Sequence, residues 1–533
     1  MGYVIMMFVQ YAFKLFAFIF KGIHRLYEKR LFPFAVLALA LVIASGYLTH
    51  KTGKSGLINI IVALIVFPPA IAIRIKKEVG KRAKSKSVLP IQSPKPCGVV
   101  FGKQGKGYIV KPEELDGHVL VVGGVGSGKS SCIAIPTLRS YGESVFAIDI
   151  KGELYEKTKD YRPNIKVFNP LKNDSYGYDP FYFLYHSDNP AQEARAIAQA
   201  IIPLPPEVND PFWIESAQNV FTAAILHFST MGLSFLQTIQ QIQACPPKEL
   251  IKELYASPTR EAVYFVNSFL GMDDKIVSSI VAELSKNIVY FVTDKNLISA
   301  LSRKKSIKPD DLEFGNDIYI QIPEHLLRQW KNLLTLIVNQ FSTHFEQRDE
   351  LNVRPILFLL DEFPRLGKVS AMLDGLATLR SKKISICLII QSLAQLDAIY
   401  GQNERKVISD TCTYKAILGA TDADTQEYFS RLVGKYDKQT TSHSDSRAPY
   451  TGFPKGTSSN TYEQETWIIK PHEFGMLDDI VLLTPFAMTF KQKQPANESI
   501  SKTSVSFCRV EKCPYYMEAG EKPVNESAQP IKC

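Results

Sequence analysis

No Cys-x-x-Cys pair occurs among the eight cysteines of this 533-residue chain, and no cysteine spacing suggests a zinc site. The thiols are scattered from Cys97 to Cys533. Two of them, Cys132 and Cys387, fall inside predicted core segments, where a free thiol behaves as a small hydrophobe. This pattern argues against a disulfide scaffold and favours a reducing compartment, the cytoplasm.

The chain also lacks internal repeats and a strong charge of either sign. A net charge of +9 is modest for this length and does not by itself indicate a nucleic-acid-binding protein. The 45% hydrophobic and 22% charged residues are typical of a globular protein. Its length allows two or three domains, each able to bury a core.

Two stretches near the N-terminus contain no charged side chain at all. Residues 31–48 and 56–73 are each 18 residues long and strongly apolar. Such a length predicts a membrane-spanning helix, since the bilayer interior offers no other partners for backbone polar groups. The six-residue connection His50–Ser55 is too short to hold a domain. We therefore expect a transmembrane hairpin, followed by a basic linker to residue 89.

Basic residues flank this hairpin on both sides. Four precede the first span between Lys21 and Arg30, and seven follow the second between Arg74 and Lys86. The positive-inside rule therefore predicts that both ends lie in the cytoplasm. The same basic stretch can contact anionic lipid headgroups, although a role in topology alone is the simpler interpretation. Residues 1–30 are expected to be cytoplasmic or interfacial, because Lys14 makes a third span costly.

A glycine-rich segment follows the apolar run His118–Val122, which predicts a short buried strand. It fits the pattern G-x-x-x-x-G-K-[ST], and the helical stretch Ser131–Leu138 comes after it. Strand, glycine loop and helix in this order predict a phosphate-binding site; the alternative is an ordinary glycine-rich turn. Lys129 is expected to reach the β- and γ-phosphates, and the Ser130 hydroxyl to ligate Mg²⁺. The predicted nucleotide-binding residues are Gly123, Gly124, Val125, Gly126, Ser127, Gly128, Lys129, Ser130 and Ser131.

Two carboxylates follow a second buried strand, predicted at Ile356–Leu360. Open parallel sheets bind their ligands at the carboxyl ends of the strands, where Asp361 and Glu362 would lie. Asp361 is expected to hold Mg²⁺ through water, and Glu362 to act as general base on the attacking water. An apolar strand ending in Asp-Glu is weak evidence alone, but it becomes strong when combined with the phosphate loop.

Gln391 and Arg380 complete the set of candidate catalytic residues. Gln391 ends the predicted strand Ile384–Ile390 and can sense the γ-phosphate, or it can be a strand-capping amide. Arg380 can complete the site of a neighbouring subunit as an arginine finger, or it can simply face solvent. The competing candidates for the arginine finger are Arg354, Arg365 and Arg405.

The rest of the chain predicts an α/β body interrupted by helices. Residues 90–182 read as the first part of a nucleotide-binding domain, with strands at Ser144–Ile148 and Ile165–Phe168. Helical periodicity predicts an all-α domain over 183–303, and the nucleotide-binding domain resumes over 304–494. Within it, 437–465 is expected to be a mobile loop and 480–484 a last strand. The polar C-terminal tail, 495–533, is expected to be disordered.

These motifs together resemble those of the coupling ATPases of type IV secretion systems, the TraG/TraD-like conjugation proteins. The phosphate loop is shared with countless NTPases, whereas other strings are more specific to this family. They are Asp149-Ile150-Lys151-Gly152-Glu153-Leu154, Val167-Phe168-Asn169-Pro170-Leu171, Phe212-Trp213 and Leu360-Asp361-Glu362-Phe363-Pro364-Arg365-Leu366-Gly367. The chain departs from the family at Trp467–Pro471, where an Arg-Pro-Leu-like string is usual.

The resemblance implies a RecA-like P-loop NTPase domain with an inserted all-α domain and an N-terminal transmembrane hairpin. It implies a homo-hexamer at the bacterial inner membrane, with its body in the cytoplasm and ATP and Mg²⁺ bound between subunits. Arg380 lies where the family carries its trans-acting arginine. The implied partners are a relaxase–DNA complex or effector proteins, and the inner-membrane components of the secretion channel. Contacts to DNA are expected to be largely independent of sequence.

Two other functions are open to the same motifs. One is a chromosome-segregation DNA pump of the FtsK or HerA kind, against which the long helical insert and the Lys-Gly-Glu-Leu string argue. The other is a receptor that docks substrates without hydrolysis. The intact set of Lys129, Ser130, Asp361 and Glu362 favours turnover instead.

Overall fold

The structure of the protein is a computed structural model, and most of its central and C-terminal part can be described. The described residues are 91–205, 208, 210–350, 353–447, 454–489 and 504–519. The predicted N-terminal segment, both predicted spans and the basic linker lie outside them. Within the described ranges, no single helix is long and apolar enough to cross a membrane. Helices Phe212–Thr230 and Phe235–Ala244, bent by 119°, meet the same length and composition criteria as a pair.

Fourteen strands occur in the described part of the chain, and nine of them form one central sheet. Numbered along the chain, they are β1 (Ile91–Ser93), β2 (Val99–Gln104), β3 (Gly107–Lys111), β4 (Val119–Gly123), β5 (Ser144–Ile148), β6 (Ile165–Phe168), β7 (Asp317–Ile320), β8 (Ile356–Leu360), β9 (Ile384–Ile390), β10 (Tyr414–Gly419), β11 (Lys435–Arg447), β12 (Pro454–Trp467), β13 (Ile480–Thr489) and β14 (Ser504–Val510).

The order of the central sheet is β14-β13-β10-β4-β9-β8-β5-β7-β6. The seven strands from β10 to β6 are parallel to their neighbours, whereas β13 and β14 pair antiparallel at one edge. The bounds predicted for β5, β6, β8 and β9 are confirmed. Continuous apolar runs in the sequence predict these strands, because a parallel sheet covered on both faces needs apolar side chains on both sides.

Two hydrophobic cores lie on opposite faces of this sheet. Along β4, Val119 and Val121 contribute to one core, and Leu120 and Val122 to the other. This alternation follows from the two-residue period of a strand. The sheet is thus the middle layer of an α/β/α arrangement, as a doubly wound domain requires.

The helices of the described residues are numbered in the same way. They are α1 (Ile135–Ser140), α2 (Glu153–Thr158), α3 (Tyr182–His186), α4 (Pro190–Ile201), α5 (Phe212–Thr230), α6 (Phe235–Ala244), α7 (Pro247–Tyr255), α8 (Arg260–Val266), α9 (Asp274–Ile288), α10 (Tyr290–Thr293), α11 (Lys295–Leu301), α12 (Pro309–Glu313), α13 (Leu327–Glu346), α14 (Ser370–Thr378), α15 (Leu393–Thr411), α16 (Ala423–Val433) and α17 (Tyr515–Ala519).

Helices α3 to α11 follow one another between β6 and β7, where the sequence predicts an all-α insertion. Their buried side chains belong to the same hydrophobic core as one face of the sheet. Helix α4, for example, packs against both α5 and α13. The helical region therefore shares its core with the sheet, which holds the two in fixed relation.

Two expectations about the C-terminal part were wrong. Residues 435–467 were expected to include a mobile loop, but β11 and β12 pair antiparallel over most of this segment. The tail was expected to be disordered from residue 495, yet in its described part, residues 504–519, β14 adds an edge strand to the sheet and α17 follows it. A ribbon of Ser, Thr and Gln lacks the apolar alternation by which strands are recognised, and its pairing depends on backbone hydrogen bonds.

A small antiparallel sheet of order β1-β3-β2 precedes the phosphate loop. It is joined to the segment after β14 by two backbone hydrogen bonds. The Lys103 N–H donates to the Glu511 carbonyl at 3.0 Å, and the Glu511 N–H donates to the Lys103 carbonyl at 2.8 Å. The end of the described chain therefore packs beside its beginning.

Candidate nucleotide site

The glycine loop leaves the carboxyl end of β4 and leads directly into a helix. A short π-helical turn, Lys129–Ala134, opens that helix, and α1 continues it. Gly126 and Gly128 have φ values of 72° and 95°, in the left-handed region that side chains rarely adopt. Such turns orient successive backbone N–H groups toward one point, where an anion can bind. The predicted strand–loop–helix context is confirmed.

Lys129 is folded back onto the loop that carries it. Its Nζ donates to the carbonyls of Gly123 at 2.6 Å and Gly124 at 2.9 Å. Burial lowers the pKa of Lys129, while the charges of Asp361 and Glu362 oppose that shift. The ammonium therefore lies within the electrostatic reach of both predicted carboxylates.

The hydroxyl groups of the loop differ in their contacts. Ser127 Oγ is buried without a hydrogen-bond partner in the described structure, and Ser131 Oγ donates to the Gly128 carbonyl at 3.5 Å. Ser130 is partly buried. An orphaned buried hydroxyl is costly, and a phosphate oxygen is a partner that would satisfy it. The loop therefore fits a phosphate group on its own geometry.

The strand order brings the other candidates to the same edge of the sheet. Strand β9 lies between β4 and β8, with Ile390 opposite Val122 and Leu388 opposite Leu360. Gln391, which follows β9, therefore emerges between the phosphate loop and the two carboxylates. Its backbone N–H donates to Gln395 Oε1 at 3.3 Å. The γ-phosphate-sensing role of its side chain stays a prediction.

Asp361 is buried at the end of β8, with 5% of its surface exposed. Burial raises the pKa of its carboxyl to about 6, and the like charges of Glu362 and Asp149 add to this, while Lys151 and Lys129 oppose it. A buried carboxylate beside other carboxylates is stabilised by a cation. Among the described residues no cluster of three or more His, Cys, Asp or Glu forms a metal cage. Mg²⁺ commonly uses one carboxylate together with phosphate oxygens and waters, which suits this arrangement.

Glu362 has a strained backbone and two basic neighbours. Its φ of 51° and ψ of 44° are left-handed, a conformation that costs a non-glycine residue roughly 1–3 kcal/mol. Its Oε1 lies 3.2 Å from Lys151 Nζ, and its Oε2 lies 3.3 Å from Arg365 Nη1. The side chain is 11% exposed. These ion pairs orient the carboxylate at the mouth of the site.

Lys151 is the residue at this site that sequence reasoning did not assign. It lies in the turn after β5, and β5 is the neighbour of β8 in the sheet. Asp149 fixes that turn by accepting hydrogen bonds from the backbone N–H groups of Leu154 at 3.2 Å and Tyr155 at 2.9 Å. The string that contains Lys151 was noticed for its resemblance. Its contact with Glu362 depends on a strand order that no local pattern encodes.

Arg380 lies far from the loop of its own chain. It is exposed in the turn between α14 and β9, at the amino end of β9, whereas the phosphate loop follows the carboxyl end of the parallel strand β4. The three competing arginines all form ion pairs. Arg354 pairs with Glu143 at 2.8 Å, Arg365 with Glu324 at 2.5 Å, and Arg405 with Asp397 at 3.0 Å. The structure therefore does not bring Arg380 to the site within one chain.

Solved structures of the plasmid coupling protein TrwB share this architecture. The complex with the non-hydrolysable ATP analogue ADPNP aligns with a TM-score of 0.59 and 16% identity, over 81% of this chain and 92% of that one. The complex with ADP and Mg²⁺ aligns with a TM-score of 0.57 and 17% identity, over 76% and 87%. At such low identity the likeness shows the fold alone, an α/β nucleotide-binding fold.

Curated relatives share more of the sequence. Protein VirD4 of Rhizobium radiobacter is 27% identical over 403 residues, which cover 72% of this chain and 56% of that protein. The conjugal transfer protein TraG of Agrobacterium fabrum is 24% identical over 377 residues, covering 67% and 56%. The chain thus aligns with little more than half the length of these relatives. The sequence model of the family described as Type IV secretory system Conjugative DNA transfer matches residues 75–488. Since that match covers most of the chain, the protein belongs to the type IV secretion coupling-protein family.

Proposed function

We propose that this protein is the coupling ATPase of a type IV secretion or conjugation system. It would recruit a relaxase–DNA complex, or effector proteins, and use ATP hydrolysis to drive their transfer to the secretion channel. The observation that carries the proposal is the convergence of Lys129, Asp361 and Glu362 at the carboxyl edge of one parallel sheet. The family to which the chain belongs supplies the task.

The residues of the site divide the work between binding and proton transfer. The loop N–H groups and Lys129 would bind the phosphates, for which Lys129 must leave the carbonyls of Gly123 and Gly124. Ser130 and Asp361 would hold Mg²⁺, which neutralises charge on the phosphates when bound. Glu362 would accept a proton from the attacking water. Gln391, between loop and carboxylates, would contact the γ-phosphate.

The solved structures of TrwB support the proposal that this chain binds a nucleotide and a metal ion. TrwB has been solved with ADPNP and with ADP and Mg²⁺, and these structures align with 81% and 76% of this chain. The described loop, with its left-handed glycines and its orphaned Ser127 hydroxyl, is compatible with the same ligands. ATP with Mg²⁺ is accordingly the proposed ligand pair.

Membrane attachment and assembly complete the proposal. Residues 31–48 and 56–73 would anchor the protein in the bacterial inner membrane, with its body in the cytoplasm. A homo-hexameric ring would place Arg380 of one subunit at the nucleotide site of the next. The exposure of Arg380 at the opposite edge of the sheet supports this, because a residue so placed is available to a neighbour. Substrate would then pass through the centre of the ring toward inner-membrane components of the channel.

ATP hydrolysis by the full-length protein, with and without single-stranded DNA, tests the proposal. We expect turnover that Lys129→Ala reduces by about 10² or more, because phosphate binding and charge stabilisation are both lost. Lys248→Ala is the matched control, since Lys248 lies in the helical region and pairs with Asp274 on the surface. It is expected to behave as wild type.

Transfer assays in one strain then identify the cargo. Conjugation efficiency and effector translocation are measured with wild type and with Lys129→Ala. Loss of conjugation alone indicates DNA, and loss of both indicates a shared motor. An absence of ATPase activity under every condition would favour a non-hydrolysing receptor over the motor.

A further inference from the structure

Each oxygen of the Glu362 carboxylate contacts one cation. Lys151 Nζ lies 3.2 Å from Oε1, and Arg365 Nη1 lies 3.3 Å from Oε2. A general base needs an oxygen that can accept a hydrogen bond from the attacking water at about 2.6–3.2 Å. In this arrangement the two ion pairs fix the carboxylate of Glu362, and an attacking water has to compete with Lys151 and Arg365 for its oxygens.

The two cations differ in how firmly they are held. Arg365 lies three residues after Glu362, in the 3₁₀ turn Phe363–Leu366 that Glu362 directly precedes, and also pairs with Glu324 at 2.5 Å. It therefore moves together with Glu362. Lys151 comes from a separate turn after β5, and its side chain is 54% exposed. The described contacts of its ammonium include only the one ion pair with Glu362.

The turn that carries Lys151 can release it without unfolding its surroundings. Asp149, on one side, is fixed by Leu154 and Tyr155, and helix α2 begins immediately afterwards. Gly152 lies between them with a φ of 74°, which only glycine adopts freely. A lysine ammonium at the end of four methylene groups can therefore swing away while the backbone stays in place.

We propose that Lys151 is a releasable restraint on Glu362, which holds the general base out of reaction until its ion pair opens. Lys151 is in this sense a positioning residue, because it acts through Glu362 and not on the reacting atoms. The inference rests on the proposed hydrolysis of ATP. In the resting protein the ion pair keeps the Glu362 carboxylate turned toward Lys151 and so lowers turnover.

The steady-state kinetics of the full-length protein without DNA test the restraint. We expect Lys151→Met to raise kcat by about two- to fivefold, the factor that a half-exposed ion pair can supply. The KM for ATP and the affinity for a fluorescent ADP analogue should stay unchanged, because Lys151 does not bind the nucleotide. Lys151→Arg should restore the low kcat, since a guanidinium can re-form the pair.

Two further variants separate the restraint from a general effect of losing a lysine. Lys159 lies just after α2, is exposed and pairs with Glu156. Lys159→Met should leave kcat unchanged. The double variant Lys151→Met/Glu362→Gln should show no gain over Glu362→Gln alone, because the restraint works through that carboxylate.

Each remaining outcome decides against the inference. An unchanged or lowered kcat in Lys151→Met overturns it, and so does a change confined to KM, which would make Lys151 a nucleotide ligand. If wild type turns over ATP but Lys151→Met shows no gain, the restraint fails while the proposed function stands. If neither protein hydrolyses ATP even with DNA, the proposed function fails and the restraint with it.

Discussion

Asp361 and Glu362 are adjacent in sequence, but their surroundings give them different chemistry. Asp361 is buried, and burial raises the pKa of its carboxyl to about 6 with the help of nearby carboxylates. Glu362 has a left-handed backbone, is 11% exposed and contacts two cations. Two carboxylates in contrasting environments commonly take separate roles. Here the buried one suits a metal ion, and the outer one suits water.

Glu362→Gln tests this division at the level of one residue. The amide keeps the size of the side chain but cannot accept the proton, so we expect kcat for ATP hydrolysis to fall by about 10²–10⁴. Binding of a fluorescent ADP analogue should change by less than about twofold, because the phosphate loop is untouched. Glu156→Gln, on the exposed surface beside Lys159, is the control. An unaltered kcat in Glu362→Gln would assign the general base to another residue.

At the scale of elements, one buried histidine joins two strands of the sheet, β4 and β9, to helix α14. His118 immediately precedes β4 and is fully buried. Its Nδ1 accepts from the Ile386 N–H of β9 at 3.0 Å, and its Nε2 donates to the Leu376 carbonyl of α14 at 3.0 Å. Both contacts require the neutral ring with its proton on Nε2. The turn that carries Arg380 lies between these two contact points along the chain.

The histidine predicts a pH dependence of stability. Burial lowers the pKa of His118 from 6.5 to about 4, and the charges of Lys111 and Arg380 act in the same direction. In the unfolded chain the His118 ring is therefore protonated below about pH 6.5, whereas in the folded chain it stays neutral down to about pH 4. The contribution of neutral His118 to the free energy of unfolding is complete above pH 6.5. It falls by about 3 kcal/mol in total as the pH is lowered from 6.5 to about 4.

Urea unfolding of wild type and His118→Gln at pH 7.0 and pH 4.5 measures this effect. Between the two pH values the free energy of unfolding of the wild type should fall by about 2–3 kcal/mol more than that of the variant, since glutamine does not titrate. Comparing the two proteins removes the contribution of the acidic residues, which they share. Equal losses would show that His118 is protonated in the folded state.

At the scale of the whole molecule, the two edges of the parallel sheet carry different halves of a proposed site. The phosphate loop, Asp361 and Glu362 lie at the carboxyl edge, and Arg380 is exposed at the amino edge. A single chain cannot bring them together, because a rigid buried sheet lies between. A ring in which the amino edge of one subunit faces the carboxyl edge of the next would complete every site, as heterologous cyclic interfaces do.

Mixing two inactive variants tests this arrangement. Arg380→Ala keeps its own Glu362, and Glu362→Gln keeps its own Arg380, so each alone should lose most ATP turnover. Co-assembled in equal amounts, the two should recover about a quarter of wild-type turnover, because about one interface in four combines both intact residues. Arg405→Ala, whose arginine pairs with Asp397 in its own chain, should stay active. Mixtures without recovery would place the arginine in cis or remove its role.

The candidate site was largely predictable from sequence because its chemistry is local. The glycine loop, Lys129 and the Asp-Glu pair each follow an apolar run, and such runs predict buried strands without knowledge of their neighbours. The ribbon of β11 and β12 and the edge strand β14 were missed for the complementary reason. The ribbon is polar and has no apolar period, and the alternation in β14 spans only Ser504-Val505-Ser506-Phe507 within a polar tail. The pairing of these strands is decided by their partners in the folded chain.

The sequence by itself determined which strands carry phosphate-binding and carboxylate groups, since both are coded within a few residues of an apolar run. Only the tertiary structure decided which strands are neighbours. The order β4-β9-β8-β5 places Gln391 between loop and carboxylates and brings Lys151 to Glu362, and the parallel direction puts Arg380 at the far edge. The crossover connections and the packing of the two cores set that strand order. No local sequence pattern predicts either of them.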